Sequence, residues 1–581
     1  MRAAIVVILC CCVAVPLAHT QDAPSPEQTP PGQMQPGSDR APVTLHGMVR
    51  NAVTGEGVPR ALVRVEGDAA TGALTDGDGR FAIDGVPAGP QAVDVSKPGF
   101  FNPGSAGNAY APAGVSGPPH NVLIAADMPD VIFTLAPACA IRGQVDLSTG
   151  DPAEGIEVGL VRRVIVDGRA VWQASGFTRT RSDGTYRFGG LADGQYALHT
   201  TPTFDSEPYS TLVANGKAAA AERWGYAGVY YPDARDPSGA SAIEVSNGTE
   251  AQANFTLTRE PFQTVSVSLP PPAVHAPASY SAELTDGSGH LLPYPTQYDA
   301  SSHTLQAALP DGTYSMLITA APQPIQTVAL RGSAEAGSIL SGEANFTVAG
   351  RPIVGLRAPL APVSATPVQV SVIHGGATTN ATGSEQVVVM LSQAGGLMGG
   401  VSGGAVVGEY ASGTAGAPLQ ASYMLPGQYW AHTFLSSRGL CESSFTAGGA
   451  SLAREPLSIG LNGQTAPTEL TLRDDCAQLD LSLPETLMAP AAGEEKFYTV
   501  FVVPDFDFTW DIVPVVLRPS SGGSFTLSGL TPGDYHVYMF EGSANLEYHN
   551  PAALAALPNP GQAVTLSPGA TANLVLEAPA Q

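Results

Sequence analysis

One turn, repeated along the chain, limits the fold more than any other feature. Its clearest copy is Gly529-Leu-Thr-Pro-Gly-Asp-Tyr535, followed by His-Val-Tyr-Met-Phe540. Upstream it recurs as Gly190-Leu-Ala-Asp-Gly-Gln-Tyr196, Leu309-Pro-Asp-Gly-Thr-Tyr314 and Leu425-Pro-Gly-Gln-Tyr429, with a worn first copy at Gly85-Val-Pro-Ala-Gly-Pro-Gln91. Each lies between two strand-like runs. Before the last copy, Ser524-Phe-Thr-Leu527 alternates polar and apolar, the period of a half-buried strand. After it, Tyr535, Val537 and Met539 share one strand face. Pro532-Gly533 reverses the chain, because proline presets φ and glycine accepts the positive φ that follows. A helix does not tolerate that pair in mid-run.

A second signature closes each unit. Val131-Ile-Phe-Thr-Leu135, Ala253-Asn-Phe-Thr-Leu257, Ala344-Asn-Phe-Thr-Val348, Thr468-Glu-Leu-Thr-Leu472 and Ala572-Asn-Leu-Val-Leu576 read as one final strand written five times. Val245-Ser-Asn-Gly248, Gly460-Leu-Asn-Gly463 and Leu566-Ser-Pro-Gly569 precede three of them and predict hairpins. A spacing of roughly a hundred residues suits whole sandwich domains rather than short-repeat solenoids.

The chain has 581 residues, too many for one core. With 65 glycines and 51 prolines it suits short strands and many turns. A formal net charge of −25 repels a phosphate backbone, so nucleic acid is excluded as a partner. Met1-Arg2 followed by the apolar Ala3 to Leu17 predicts a signal peptide over 1–20, with the mature chain starting near Gln21. The run is too short for a membrane span. A lipoprotein reading of Cys10-Cys11-Cys12 is weakened by Leu9, which stands where a small residue should precede the modified cysteine. Residues 21–42 read as a disordered, proline-rich spacer. The expected localisation is exported: periplasmic, outer-surface or extracellular in a bacterium.

After cleavage three cysteines remain: Cys139, Cys441 and Cys476. An exported chain permits a disulfide. Cys441 and Cys476 straddle the end of the fourth unit and are expected to pair, leaving Cys139 buried and free.

The first unit carries Gly47-Met-Val49, Gly57-Val-Pro59 with Ala61-Leu-Val63, Thr75-Asp-Gly-Asp-Gly-Arg-Phe81 and the worn turn at Gly85. The second carries Ile141-Arg-Gly-Gln-Val145, Gly155-Ile-Glu-Val-Gly-Leu160 and Arg181-Ser-Asp-Gly-Thr-Tyr-Arg-Phe188. Together these resemble the carboxypeptidase regulatory-like domain, which is transthyretin-like and belongs to a carbohydrate-binding-like fold group. The resemblance covers two units fully and three by the turn and closing strand. It implies an all-β chain: a tandem array of about five small Greek-key β-sandwich domains, transthyretin-like or Ig-like. The expected boundaries are 43–137, 138–259, 260–350, 351–474 (with a glycine-rich loop) and 475–581.

Catalytic motifs are missing. None of the 11 histidines begins His-x-x-Glu or His-Glu-x-x-His, so the zinc motif of metallopeptidases is absent. Gly400-Val-Ser-Gly-Gly404 matches a nucleophile elbow by letter only, inside an uncharged glycine run without a following helix pattern. That run, Gln386 to Gly408, spaces its glycine pairs like a membrane-helix motif, but it is too polar and would cut a unit in two. With Lys97, Lys217 and Lys496 as the only lysines, lysine chemistry and Lys–Asn isopeptide bonds are disfavoured. Asp76-Gly-Asp78 reads as a capped turn rather than a calcium loop. The expectation is therefore no enzyme, no cofactor and no metal, although a site can assemble from distant residues.

The best candidate binding surface is aromatic. Trp224, Tyr226, Tyr230 and Tyr231 lie in an insertion of the second unit, where flat rings can stack on sugar faces. The competing reading is that they plug the end of that sandwich. Trp510, in Phe506-Asp-Phe-Thr-Trp510, is the second candidate; its alternation equally suits a core-facing strand. The expected function is a cell-envelope binding protein for polysaccharide or surface proteins. The alternatives are a structural spacer or a regulatory partner of a separate enzyme.

Overall fold

The structure is a computed structural model. It describes residues 42–66, 71–102, 119–204, 222–270, 279–287, 289–321, 339–374, 377–379, 386–394, 409–414, 419–421, 424–435, 439–488, 493–494 and 496–578. The leader, the spacer up to residue 41, the glycine pairs at 395–404 and Ser402 lie outside them. Among the described residues the regular structure is almost all strand, with one short α-helix, Pro551–Ala555, and a few 3-10 turns. No helix among them is long and apolar enough to cross a membrane.

Five separate apolar cores follow one another in sequence order. They are built around Leu45 to Leu135, Cys139 to Leu257, Val265 to Ala358, Val368 to Leu472 and Ala477 to Leu576. Each is filled by alternate residues of facing sheets. In Thr468–Arg473, for example, Thr468, Leu470 and Leu472 point inward and the residues between them do not.

The pairing pattern repeats. In the first sandwich Val43–Asn51 runs antiparallel to Arg80–Val86 and parallel to Val131–Pro137. In the fifth, Ala477–Ser482 runs antiparallel to Ser524–Leu530 and parallel to Thr571–Val575. Facing it, Tyr498–Pro504 and Gly533–Glu541 pair antiparallel at the centre of the second sheet.

The repeated turn carries the chain from one sheet to the other. Ser524–Leu530 and Gly533–Glu541 lie in different sheets, as do Thr185–Leu191 and Gly194–Thr200. The tyrosine locks this corner. Its hydroxyl donates to the carbonyl four residues back: Tyr196 to Ala192 at 2.8 Å, Tyr314 to Pro310 at 3.0 Å, Tyr429 to Leu425 at 2.9 Å and Tyr535 to Thr531 at 2.6 Å. In the worn first copy Gln91 makes the equivalent bond, Nε2 to the Pro87 carbonyl at 3.1 Å. The glycine two before the tyrosine is required at Gly533, where φ is 154° and an added Cβ would lie 2.6 Å from the Phe506 ring.

Four expectations are corrected. The Asn-Gly turns are not hairpins. Asn247 and Gly248 both take positive φ, as do Asn462 and Gly463, but the strands they join belong to opposite sheets. Backbone bonds tie these arches to the start of their own sandwich: Ala140 N to Thr249 O, Ser364 N to Asn462 O and Gly569 N to Asp475 O.

Ala344 to Val348, second, is not the final strand of its unit. Leu340–Val348 pairs antiparallel with Gly312–Ala321, and Ile353–Arg357 takes the parallel place beside Arg259–Ser268. Residues up to Leu360 pack in the third core, so the third sandwich runs past the expected boundary at 350.

Third, Phe506 to Trp510 is not a strand. It lacks a ladder partner, and Glu442 of the fourth sandwich takes up its backbone instead, with Thr509 N donating to Oε1 at 2.9 Å. Fourth, the aromatic insertion divides: Tyr226 and Tyr231 pack against the second core and Tyr230 is buried with Val161 and Ala197, as a plug would, but Trp224 is exposed, and Glu222–Tyr226 pairs with Arg259–Ser268 and extends the sheet of the third.

Cys441 and Cys476 form a disulfide between the fourth sandwich and the start of the fifth, and Cys139 is a buried free thiol. Gly493–Glu494 of the fifth sandwich pairs along the edge of the first, at Leu123 and Val122.

Candidate functional site

The aromatic candidates do not form one strip. The sheet joining the second and third sandwiches places Trp224 opposite Pro261 and Tyr226 opposite Arg259. Trp224 is exposed, at 41% of its surface, and the Arg259 guanidinium lies over its ring at 4.6 Å. Tyr226 is half-buried against the second core. Tyr230 is 1% exposed and packs with Val161 and Ala197, where a sugar does not reach it; burial pushes its hydroxyl pKa up. Tyr231 is half-buried, edge-on to Phe255. Trp510 sits in the fifth sandwich, half-buried against Phe508 at 4.9 Å.

The Asp76 carboxylate is taken by its own turn, accepting from Asp78 N at 2.9 Å and Arg80 N at 2.8 Å. Asp183 likewise accepts from Thr185 N at 3.0 Å.

A second constellation lies where the second, fourth and fifth sandwiches meet. The hairpin Glu157–Val166 to Arg169–Arg179 turns through Asp167 and Gly168, both at positive φ. Gly168 is needed for close approach, since a Cβ there would lie 2.3 Å from the Tyr548 ring. His549 N donates to Gly168 O at 3.1 Å, and Arg163 pairs with Glu547 at 2.8 Å. The Arg169 guanidinium stacks 3.6 Å from the Trp430 ring and donates to the Ala453 carbonyl at 2.7 Å. Burial lowers its pKa to about 10, so it stays cationic at neutral pH.

Beneath this hairpin His432 is buried, at 4% exposure. Its Nδ1 lies 2.7 Å from Asp511 Oδ1 and its Nε2 lies 2.7 Å from Ser392 Oγ. Asp167 stands nearby, its carboxyl pKa pushed up by burial and then by the charge of Asp511. His549 is held neutral, its pKa lowered to about 3 by burial and then by the neighbouring charge of Arg169. The ligand atoms of Asp167, His432 and Asp511 all lie within 4.8 Å of one another, as do those of Asp236, Asp286 and His290. These are the groups among the described residues that can gather around a cation.

Beside it, Glu442 is buried, at 2% exposure. Thr509 N and Thr509 Oγ donate to its carboxylate at 2.9 and 2.7 Å, and burial pushes its pKa up. A cleft of about 560 Å³ opens there, lined by Glu442, Arg454, Phe506, Asp507 and Thr509 among others. Nothing in the sequence around Ser392, His432, Asp511 or Glu442 marks them. Their partners lie 40 to 79 positions away: Ser392 and His432 meet across adjacent strands of the fourth sandwich, and its packing against the fifth brings Asp511 and Thr509 to them.

No curated protein matches this chain. Among solved structures it is similar to a streptococcal ancillary pilin at 12% identity, over 55% of this chain and 99% of that one, with a TM-score of 0.17. It is also similar to GBS52, the minor pilin of Streptococcus agalactiae, at 13% identity over 40% and 98% of the two chains, with a TM-score of 0.18. The shaft pilin SpaA of Lactobacillus rhamnosus GG matches at 11% identity over 37% and 96%, with a TM-score of 0.18. By sequence, residues 44–107 match the carboxypeptidase regulatory-like domain.

Proposed function

We propose that the chain is an exported scaffold of the cell envelope whose fused second and third sandwiches bind polysaccharide at Trp224. The observation that carries this reading is the exposure of Trp224, at 41%, on a strand shared by two sandwiches. One ring face is covered by Arg259, and the exposed surface suits stacking on a sugar. Tyr226 and Tyr231, half-buried against the second core, are left to packing rather than to the ligand. The envelope location rests on the leader read over 1–20.

Mature protein from Gln21 onward should be retained on at least one insoluble or soluble polysaccharide. Trp224→Ala should weaken retention about tenfold or more, equivalent to about 1.4 kcal/mol. Undiminished binding by that variant would move the site elsewhere.

A second reading, a spacer without a small ligand, is favoured by the ties between sandwiches. These are the shared sheet at Glu222–Tyr226, the Cys441–Cys476 bridge and the Glu442 contact. Absence of retention on every glycan, with an intact unfolding transition, selects it.

A further inference from the structure

We propose that Ser392, His432 and Asp511 form a nucleophilic triad that cleaves small acyl esters at the junction of the second, fourth and fifth sandwiches. This goes beyond the binding role above and does not depend on it, since Trp224 takes no part.

The connectivity is that of a working triad rather than of any three polar groups. Asp511 meets Nδ1 and Ser392 meets Nε2, each at 2.7 Å. A carboxylate on Nδ1 holds the proton there and turns the Nε2 lone pair toward the hydroxyl. With the proton on Nε2 instead, the serine would be left without a base.

The fold makes the pair rigid. Ser392 and His432 stand on adjacent antiparallel strands, Gln386–Gln393 and Gly427–Leu435, where Met390 faces His432 and Ser392 faces Trp430. Val387, Val389, Leu391, Tyr429 and Ala431 fill the fourth core, so the intervening Ser392 and His432 project from the outer face of the sheet. Asp511 comes from the fifth sandwich, and its segment is pinned two residues earlier by Thr509 on Glu442.

Access is graded as the chemistry needs. His432 is shielded at 4% exposure, while Ser392 is only half-buried. Arg169 brings a positive charge beside the strand pair that carries Ser392 and His432. Its guanidinium lies over Trp430, the direct strand partner of Ser392, and its Nε is buried without a hydrogen-bond partner. Asp167 and Asp511 both face the imidazolium that forms during the reaction.

The reaction balances with water alone. Ser392 Oγ bonds to the ester carbonyl carbon as its proton passes to His432 Nε2. The tetrahedral adduct then collapses: the C–O bond to the alcohol breaks, and the departing alkoxide takes the proton from Nε2. Water repeats the sequence on the acyl-serine, releasing the carboxylic acid and restoring the hydroxyl. Asp511 acts as a positioning residue through His432.

The test uses the full mature chain and a fluorophosphonate probe, with the modified peptide mapped by mass spectrometry. Labelling is expected at Ser392, together with hydrolysis of p-nitrophenyl acetate. Ser392→Ala should reduce hydrolysis at least a hundredfold with its melting temperature unchanged. Asp511→Asn should lower kcat with KM unchanged, and Asp511→Glu should restore part of it. Absence of label, label only on other serines, or equal hydrolysis by Ser392→Ala overturns the proposal. Labelling of the unaltered protein needs no variant to fold, and loss of polysaccharide binding would not affect it.

Discussion

Glu442→Ala should destabilise the junction of the fourth and fifth sandwiches by about 2–4 kcal/mol, whereas Glu442→Gln should stay within about 1 kcal/mol. The side chain is buried and its carboxyl accepts from both the backbone N–H and the hydroxyl of Thr509. Alanine leaves that N–H buried without a partner and opens a void beside the Thr433–Thr509 pair, whose hydroxyls lie 2.8 Å apart. Glutamine keeps an acceptor for the N–H, and its amide can donate to the Thr509 oxygen.

Burial also gives this position a pH signature. The folded-state pKa is raised above the ordinary value of 4.5, desolvation being the main cause. A raised carboxyl contributes stability that is fully present below its unfolded pKa and is lost as pH rises through the folded value. The stability of the parent protein relative to Glu442→Gln should therefore fall as pH climbs from about 4.5 upward. The subtraction is needed because Asp183, Asp236, Asp299 and Asp475 have lowered pKa values and slope the other way. Denaturant unfolding of both proteins across this range measures it, and a flat difference would show that Glu442 does not titrate with folding.

Glu442 also marks where sequence reading stopped. The corner was legible because its chemistry is local: a turn, a positive-φ glycine and a tyrosine whose hydroxyl reaches back four residues. Strand faces were legible for the same reason, since alternation is a property of neighbours. Which strands those turns connect was not. Asn247-Gly248 has hairpin chemistry yet joins opposite sheets, because a turn sets a reversal and the packing of the flanking residues chooses the sheet. The Ala344 to Val348 signature has the letters of a final strand, but Ile353–Arg357 follows and takes the parallel edge.

The aromatic candidates divide along the same line. Their residue types pointed to a surface, but exposure depended on which sheet claimed them: Trp224 is open and Tyr230 closed within the same short stretch. The junction of Ser392, His432 and Asp511 had no local signal at all, since Ser392 and His432 meet across strands 40 residues apart and Asp511 arrives from another sandwich.

Tyr535→Ala should cost the fifth sandwich about 3–5 kcal/mol, the largest single effect expected at a repeated position. The ring is 1% exposed and meets Phe506 edge-on at 5.5 Å, so its removal leaves a large cavity beside Val537 and Leu566. Tyr535→Phe isolates the hydroxyl. It keeps the ring and orphans the Thr531 carbonyl, at about 1–2 kcal/mol. Tyr196→Phe, Tyr314→Phe and Tyr429→Phe should behave alike, because each hydroxyl makes the same bond from a buried ring. Gln91→Ala removes the equivalent bond from a more exposed side chain and should cost only about 0.5 kcal/mol, since water can replace what is lost. Denaturant unfolding of the full chain, with limited proteolysis to identify which sandwich opens first, separates the contributions. A Gln91→Ala cost equal to that of Tyr535→Phe would mean that the bond itself, and not its burial, holds the corner. A Tyr535→Ala cost no larger than that of Tyr535→Phe would mean that the ring contributes nothing and the corner is held by its glycines.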